Sequence, residues 1–292
     1  MSERRGIALL IVVALLGALS VTAAMAALSA RISTSHAFAD LERLQLEAAI
    51  DSAVARTAAR LSYDELDWFA DGRLYEMRVD DITVRIRAIA ESGRFDLNQG
   101  DVPVLAALLE ARGVSSISAR RIAGAVTDWR DGDDVVAESG AEAAAYRAEG
   151  LPAPGNRPFL AVAEFRNVLG VDEAIYEAVE PYLTVHGGEA IAVNLAPPAL
   201  IEAAGISAGD ARRILAARRR NRPPPTLDNG IETQPGQPGI YAFYIEAEAP
   251  NRAQRARQVI VSLPGETSLY DTLSRHSHVM GYADFLDPEP EN

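Results

Sequence analysis

The chain has 292 residues, enough for one or two domains around a sizeable core. Its net charge of -13 argues against a general affinity for nucleic acid or anionic lipid, and the absence of cysteine removes disulfides and thiolate metal sites. All 28 basic residues are arginine, so no Walker, Schiff-base or general-base lysine exists.

Residues 7–28 run IALLIVVALLGALSVTAAMAAL, in which only Ser20 and Thr22 are polar. As a helix this stretch is long enough for roughly 30 Å of hydrocarbon, and no later window matches it. Arg4 and Arg5 precede the span while Asp40, Glu42 and Glu47 follow it, so the positive-inside bias leaves a short cytoplasmic N-terminus and a periplasmic bulk. Helical spacing continues through Leu41, Leu44, Ala48, Ala55 and Ala59 with neither Gly nor Pro between Leu28 and Leu61. A single helix from Ile7 to Leu61 would be roughly 80 Å long. Two readings of this N-terminus compete. A secretory signal could be cut near Ala23-Ala24-Met25-Ala26. Against it, the basic leader is very short, ends at Gly6 and abuts the apolar run directly.

Beyond the helix, LYEMRV and ITVRIRAI between Leu74 and Ile89 alternate apolar and charged residues around Asp80-Asp81, the pattern of a half-buried hairpin. A second hairpin is expected from Ile240–Glu248 and Arg257–Leu263, turning at Pro250-Asn251. Residues 95–222 read almost wholly helical and contain a repeat. Leu109-Glu110-Ala111-Arg112-Gly113-Val114-Ser115 is echoed by Ile201-Glu202-Ala203-Ala204-Gly205-Ile206-Ser207, and Ala119-Arg120-Arg121-Ile122 by Ala211-Arg212-Arg213-Ile214. Asn98 and Asn194 precede the two units, and Glu164–Val179, centred on Gly170-Val171, is a degenerate third copy. Each copy reads as two short helices around a Gly-containing turn.

One block could hold a ligand. Asp128, Asp131, Asp133 and Asp134 crowd together with Glu138 and Glu142 close behind; hard oxygen donors around Gly132 suit Ca²⁺, although the spacing is not that of an EF-hand. A solvated acidic loop is the competing reading, and Asp128 is equally placed to cap or pair locally. The repeats also resemble helix-hairpin-helix modules, so a membrane-anchored DNA-binding protein of DNA uptake is the alternative function. The turns Gly113-Val114-Ser115, Gly205-Ile206-Ser207 and Gly170-Val171-Asp172 lack that module's second glycine. The region 95–222 carries 13 Arg against 18 acidic residues, the wrong sign for phosphate binding. The cluster Arg218, Arg219, Arg220 and Arg222 fits a helix C-terminus before the stop Pro223-Pro224-Pro225. No catalytic residues can be nominated, so an enzyme is not expected. Of the four histidines, His36, His186, His276 and His278, the last two form an H-x-H pair in a polar tail with no second ligand group at zinc spacing. Trp68, Trp129, Tyr241, Phe243 and Tyr244 read as core.

The leader ending at Gly6 and the apolar-to-amphipathic helix resemble the class III signal of type IV pilins and type II secretion pseudopilins. That resemblance implies prepilin-peptidase cleavage after Gly6 and N-methylation of Ile7. Most such proteins carry Glu at the fifth mature position, here Ile11; the K-type minor pseudopilins typically lack it. The runs Phe95-Asp96-Leu97-Asn98, Asp128-Trp129-Arg130-Asp131-Gly132-Asp133, Gly140-Ala141-Glu142 with Tyr146, Asn156-Arg157-Pro158-Phe159 with Glu164-Phe165, and Val193-Asn194-Leu195-Ala196 are similar to that family in order. Family members more often carry a bulkier residue than Ile7 after the cut and Pro where Gly132 stands.

The resemblance implies an α+β fold, a pilin-like long N-terminal helix plus antiparallel sheet with a large all-α, SAM-like or helix-hairpin-helix-like insert. The expected order is leader 1–6, membrane helix 7–28, amphipathic helix and first strands 29–94, helical insert 95–222, linker and C-terminal strands 223–267, and an acidic tail 268–292. It further implies a single-pass inner-membrane protein with most of its chain in the periplasm. Such a protein starts or caps a pseudopilus with minor pseudopilins I and J for export across the outer membrane, without nucleic acid. It also implies Ca²⁺ in the helical region, with Asp128, Asp131, Asp133 and Glu142 as candidate ligands.

Overall fold

The computed structural model describes residues 2–62, 68–220, 222, 225, 239–264 and 269–276. Two compact units divide the chain, Met1–Ala49 and Ile50–Asn292. One helix, α1 (Ser2–Ser62), supplies the whole of the first unit and opens the second. In the first unit, Leu15, Leu16, Leu19, Val21, Met25 and Leu28 are all exposed. Among the described residues no helix is long and apolar enough to cross a membrane. Residues 7–14 of the expected span, together with Gly6, fall outside the residues whose side chains are described.

In the second unit the last turns of α1 bury Ile50, Ala53, Val54, Ala58 and Leu61, a helical spacing of apolar residues that needs a partner surface. The unit's main sheet has five strands, β1 (Asp71–Val79), β2 (Ile82–Ala90), β5 (Gly239–Glu248), β6 (Gln254–Leu263) and β7 (Asp271–His276). They lie in the order β1-β2-β5-β6-β7 with every neighbour antiparallel. The first hairpin turns at Asp80, whose φ of 54° is a left-handed conformation that aspartate tolerates better than most residues. Alternation gives one apolar face, with Val84, Ile86, Ile245, Ala247, Val259 and Val261 buried, and a charged face on which Arg85 meets Glu248 at 3.4 Å. Residues 271–276, expected within an acidic tail, form β7 instead. Backbone pairing to β6 and an ion pair from Arg275 to Asp51 (3.0 Å) hold this polar edge strand without an apolar pattern. Residues 277–292 lie outside those described.

The insert leaves after β2 and returns into β5, which are adjacent strands. Its helices are α2 (Val102–Ala111), α3 (Ser116–Arg130), α4 (Ala143–Ala148), α5 (Glu173–Val179), α6 (Pro198–Ala203) and α7 (Ala208–Arg219). They surround a core that includes Phe95, Leu105, Leu109, Ile122, Val126, Trp129, Tyr146, Phe165, Tyr176, Leu200 and Ile214. The region is less helical than its composition suggests. A short parallel pair, β3 (Phe95–Asp96) with β4 (Leu183–Thr184), closes its base. Residues 131–142, 149–161 and 185–197 run as turns and extended chain, held by side chains rather than by helical bonds. The Asp96 carboxylate accepts from the backbone amides of Asn98, Gln99, Gly187 and Gly188, and the Asn98 amide clamps both the N–H (2.6 Å) and the C=O (3.0 Å) of Phe159. Prolines 152, 154, 158 and 197 cannot donate to a helix at these points.

The repeat is visible as one connector used twice. After α2, Gly113 takes φ 92° and Val114 N–H donates back to Leu109 O; after α6, Gly205 takes φ 73° and Ile206 N–H donates to Ile201 O. Each next helix is then capped by a serine, Ser115 Oγ accepting from Ser118 N–H and Ser207 Oγ from Asp210 N–H. In the third copy, a 3-10 turn (Val162–Asn167) stands where a helix was expected, Gly170 has φ 90°, and Asp172 caps α5.

Two polar clusters join insert to sheet. Arg94 donates to Tyr244 Oη (2.7 Å) and pairs with Glu91, whose carboxylate also takes the Thr184 hydroxyl. Arg218 of α7 donates to Asn194 O (2.8 Å) and lies 3.7 Å from Asp71, which Arg73 pairs at 2.6 Å.

Added methyls at Gly113 and Gly205 would meet nothing within 4 Å, so only backbone strain opposes them. Gly113→Ala and Gly205→Ala should each cost about 1 kcal/mol. Gly132→Ala, equally open but not at positive φ, should cost clearly less. Denaturant midpoints at constant slope provide the comparison.

Candidate metal centre

The end of α3 builds the site. Asp131 caps the helix with its N–H on Thr127 O (3.1 Å), and the chain then turns at Gly132. Asp133 Oδ1 accepts from Val135 N–H (2.8 Å), and Asp128, fully buried one helical turn back, accepts from Ala137 N–H (2.8 Å) through Oδ1. Ser139 adopts φ 62° and Gly140 passes directly over the Asp128 carboxylate, too close for any side chain there. Glu142 follows as the N-cap of α4, yet its carboxylate does not cap that helix.

Asp131, Asp133 and Glu142 each offer a carboxylate oxygen, and the three oxygens lie within 4.8 Å of one another. Glu142 is only 7% exposed, and among the described residues neither of its oxygens, nor Asp131 Oδ1 or Asp128 Oδ2, meets a donor in full hydrogen-bond geometry; the backbone amides of Ala143 and Asp133 offset part of the charge at Glu142 and Asp131. Buried anions normally carry a counter-charge or several donors. Burial, reinforced by Asp133 and Asp128, raises the Asp131 carboxyl above its ordinary pKa. Burial raises Glu142 in the same way, with Asp128, Asp131 and Asp134 adding to it.

Of the four carboxylates expected to bind a metal, the structure gathers Asp131, Asp133 and Glu142, while Asp128 stands beside them pinning the loop through Ala137. Glu138 and the exposed Asp134 flank the cluster without joining it. Asn156 was not foreseen here. Its Nδ2 donates to Asp133 O (3.1 Å), and its Oδ1 is buried without a hydrogen-bond partner. Its φ of 43°, next to Gly155, marks a turn that presses on Trp129. Trp129 stacks on Phe159 with ring centroids 5.4 Å apart, so the 154–160 segment is fixed against α3. The three carboxylates form a hard donor set suited to a divalent cation, and Asn156 braces the Asp133 backbone beside them. The repeat turns, at other helix ends, oppose phosphate. In the two repeat turns Ser115 and Ser207 already occupy helix N-terminal amides, and the Asp210 carboxylate sits beside the second.

Comparison with known proteins assigns the family. Residues 86–188, which include the whole acidic cluster, match Type II secretion system (T2SS), protein K. Over 249 residues the chain is 32% identical to Type II secretion system protein K of Klebsiella pneumoniae, covering 74% of this chain and 76% of the relative. The chain belongs to the type II secretion system protein K family. A putative member from Escherichia coli K12 is 27% identical over 216 residues, covering 66% of each chain. In fold, the chain is similar to a chain of the crystallised GspK-GspI-GspJ complex of the enterotoxigenic Escherichia coli type 2 secretion system. That match has a TM-score of 0.55 at 15% identity and covers 82% of this chain and 98% of the other.

The raised carboxyls fix a pH dependence. The folded chain holds these protons more tightly than the unfolded chain. Their contribution therefore favours folding below the ordinary carboxylate range and is lost as pH rises through the raised values. With divalent cations chelated, melting temperature should fall as pH rises from the ordinary carboxylate range, about 4, through the raised values, and Glu142→Gln should flatten that slope. A slope identical in wild type and variant would show that Glu142 is not part of the stressed cluster.

Proposed function

We propose that this chain is a minor pseudopilin at the tip of the type II secretion pseudopilus, initiating or capping assembly with minor pseudopilins I and J for protein export across the outer membrane. One observation carries this reading. A long helix and an antiparallel sheet hold an insert comparable in size to a small domain between neighbouring strands, which supports reading them as a pilin-like frame. A subunit inside a shaft needs neighbours above and below, and such a head obstructs the next one. Membership of the K family and the fold shared with a chain of the GspK-GspI-GspJ complex support the same partners here. Ile11 agrees with a terminal position, since an apolar fifth mature residue cannot pair with a neighbour's N-terminal amine, and an unmatched buried carboxylate would be costly there. The role is structural, and no residue is assigned to catalysis.

Within this reading the segment 7–28 is a single inner-membrane helix with the bulk of the chain in the periplasm. The uninterrupted apolar stretch and the exposed leucines of the first unit support it. Prepilin peptidase would cut after Gly6 and Ile7 would be methylated. Replacing Gly6 with a bulky residue should leave the longer precursor; unchanged processing, or a mature N-terminus near Ala27, speaks for an ordinary signal peptide instead.

The acidic cluster is assigned to Ca²⁺, held by Asp131, Asp133 and Glu142, with Asp128 fixing the loop and Asn156 bracing the Asp133 backbone. A cation there supplies positive charge to buried carboxylates that otherwise repel, joining the end of α3 to the start of α4. Calcium should accordingly abolish the pH slope described above.

The assembly reading is tested by co-purifying the chain with the I and J pseudopilins of the same system and measuring mass by light scattering. One copy of each is expected. A homopolymer of this chain, or indifference to both partners, would remove the tip assignment.

A further inference from the structure

The β1–β2 and β5–β6 turns lie at the same end of the main sheet, because Thr83 pairs with Glu248 and Glu248 with Gln254. A cavity of 330 Å³ opens there, lined by Arg78, Arg85 and Arg252 together with Asp81 and Glu248. Arg85 is engaged, reaching Glu248 at 3.4 Å and Glu76 at 3.6 Å. Arg78 and Arg252 are exposed, and among the described residues neither side chain has an ion-pair or hydrogen-bond partner. Arg252 also stands at φ 68°, a left-handed conformation ordinary for glycine or asparagine and costly for arginine. Its N–H on Ala249 O (2.9 Å) fixes the backbone at that point. Two guanidiniums are thus held at one cavity, and Asp81 is the one lining carboxylate not engaged by Arg85.

The occupant has to bring carboxylates, and the net charge of -13 keeps free acidic polypeptides at a distance. The chain supplies a tethered one. Asp284, Asp287, Glu289 and Glu291 fall within 277–292, a stretch without arginine. β7 runs from Asp271 opposite Ser262 to His276 opposite Gln258, so its direction leads on toward Gln254 and the end of the sheet that holds the cavity. Arg78 lies about 23 Å from His276 by strand spacing and rise. The stretch from His276 to Asp284 spans up to about 28 Å when extended, so all four acidic residues reach. Presented by the same chain, they act at an effective concentration on the order of millimolar. Phe285 and Leu286, between the first two carboxylates, suit Ala249 and Pro250, the apolar part of the cavity wall.

We propose that residues 284–291 dock in this arginine cavity as a strap across the end of the sheet, their carboxylates meeting Arg78 and Arg252. The strap ties down β7, which is otherwise held by pairing to β6 and by Arg275 on Asp51. The chain has no cysteine, so Gln254→Cys with Ala283→Cys places a single pair of spin labels on the full-length protein in neutral detergent. Pulsed dipolar EPR at low salt should give a narrow peak below about 30 Å, which about 1 M salt broadens by screening. Arg78→Ala with Arg252→Ala should lower that peak about fivefold. Replacing Asp284 and Asp287 by Asn and Glu289 and Glu291 by Gln should lower it as much, while protected amides in β2 and β5 report an intact sheet in both variants. A broad distribution in the wild type, or a peak that survives either variant, overturns the strap. If the wild type shows no peak and Arg78→Ala with Arg252→Ala weakens association with the I and J pseudopilins, the cavity belongs to a partner and the strap is overturned as well.

Discussion

Ala90 pairs with Tyr241 in the main sheet although the whole insert lies between them in sequence. Closing so long an excursion costs chain entropy, which grows slowly with length but must be met before β2 and β5 can pair. The structure meets it at the junction. Arg94 is essentially buried; burial opposes its charge, yet Tyr244 and Glu91 outweigh that and its pKa stands above the ordinary arginine value. Burial in turn pushes Tyr244 up to about 12, so it serves as a neutral hydroxyl that accepts from both Arg94 and Gln258. Glu91 links the cluster to Thr184, and thereby β4 to the sheet. Removing one partner of such a buried group strands the others. These polar atoms therefore help to fix how the insert meets the sheet.

Set beside that junction, the acidic cluster is unlike the rest of the molecule. At Arg94 and at Asp71 a buried charge meets an opposite charge or a donor, whereas at Glu142 and Asp131 burial and neighbouring carboxylates outweigh what Arg130 and the backbone amides offset, and both carboxyls are raised. The backbone adds to this. A glutamate at the N-cap of α4 could have capped the helix, and its carboxylate is instead turned into the cluster. Gly140 is required because any side chain would collide with Asp128.

Much of this was legible in the sequence because its cause is local. Alternation announced the hairpins, glycine and serine announced the repeat connectors, and the crowding of aspartates announced the cluster. What was missed has non-local causes. β7 is polar because it lies at an edge and is held by backbone pairing and by Arg275, so its residues lack strand periodicity. β3 and β4 contribute two residues each and pair across most of the insert. Asn156 reaches Asp133 from a separate loop, and only its Gly-Asn turn hinted at special geometry. The helical expectation for 95–222 failed at 149–161 and 185–197, where Asn98 takes the Phe159 amide and buried Asp96 takes those of Gly187 and Gly188.

The two Asn-led repeats show how one scaffold has been turned to two tasks. In the first, Asn98 holds the Phe159 peptide while Arg130, at the end of α3, donates to Leu97 O and Gly100 O. Phe159 stacks on Trp129, and the segment it belongs to carries Asn156 to Asp133, so this copy organises the acidic cluster. In the second, Arg218 at the end of α7 donates to Asn194 O, and its guanidinium lies beside Asp71 of the sheet. The Asn194 amide is fully buried and clasps no loop. An arginine at the helix end closes back on the Asn-containing entry of each copy, but the first copy directs the surplus polar capacity outward to the cluster and the second directs it inward to the sheet. A substitution in the second copy therefore acts on how the insert is mounted, and one in the first acts on what the insert presents.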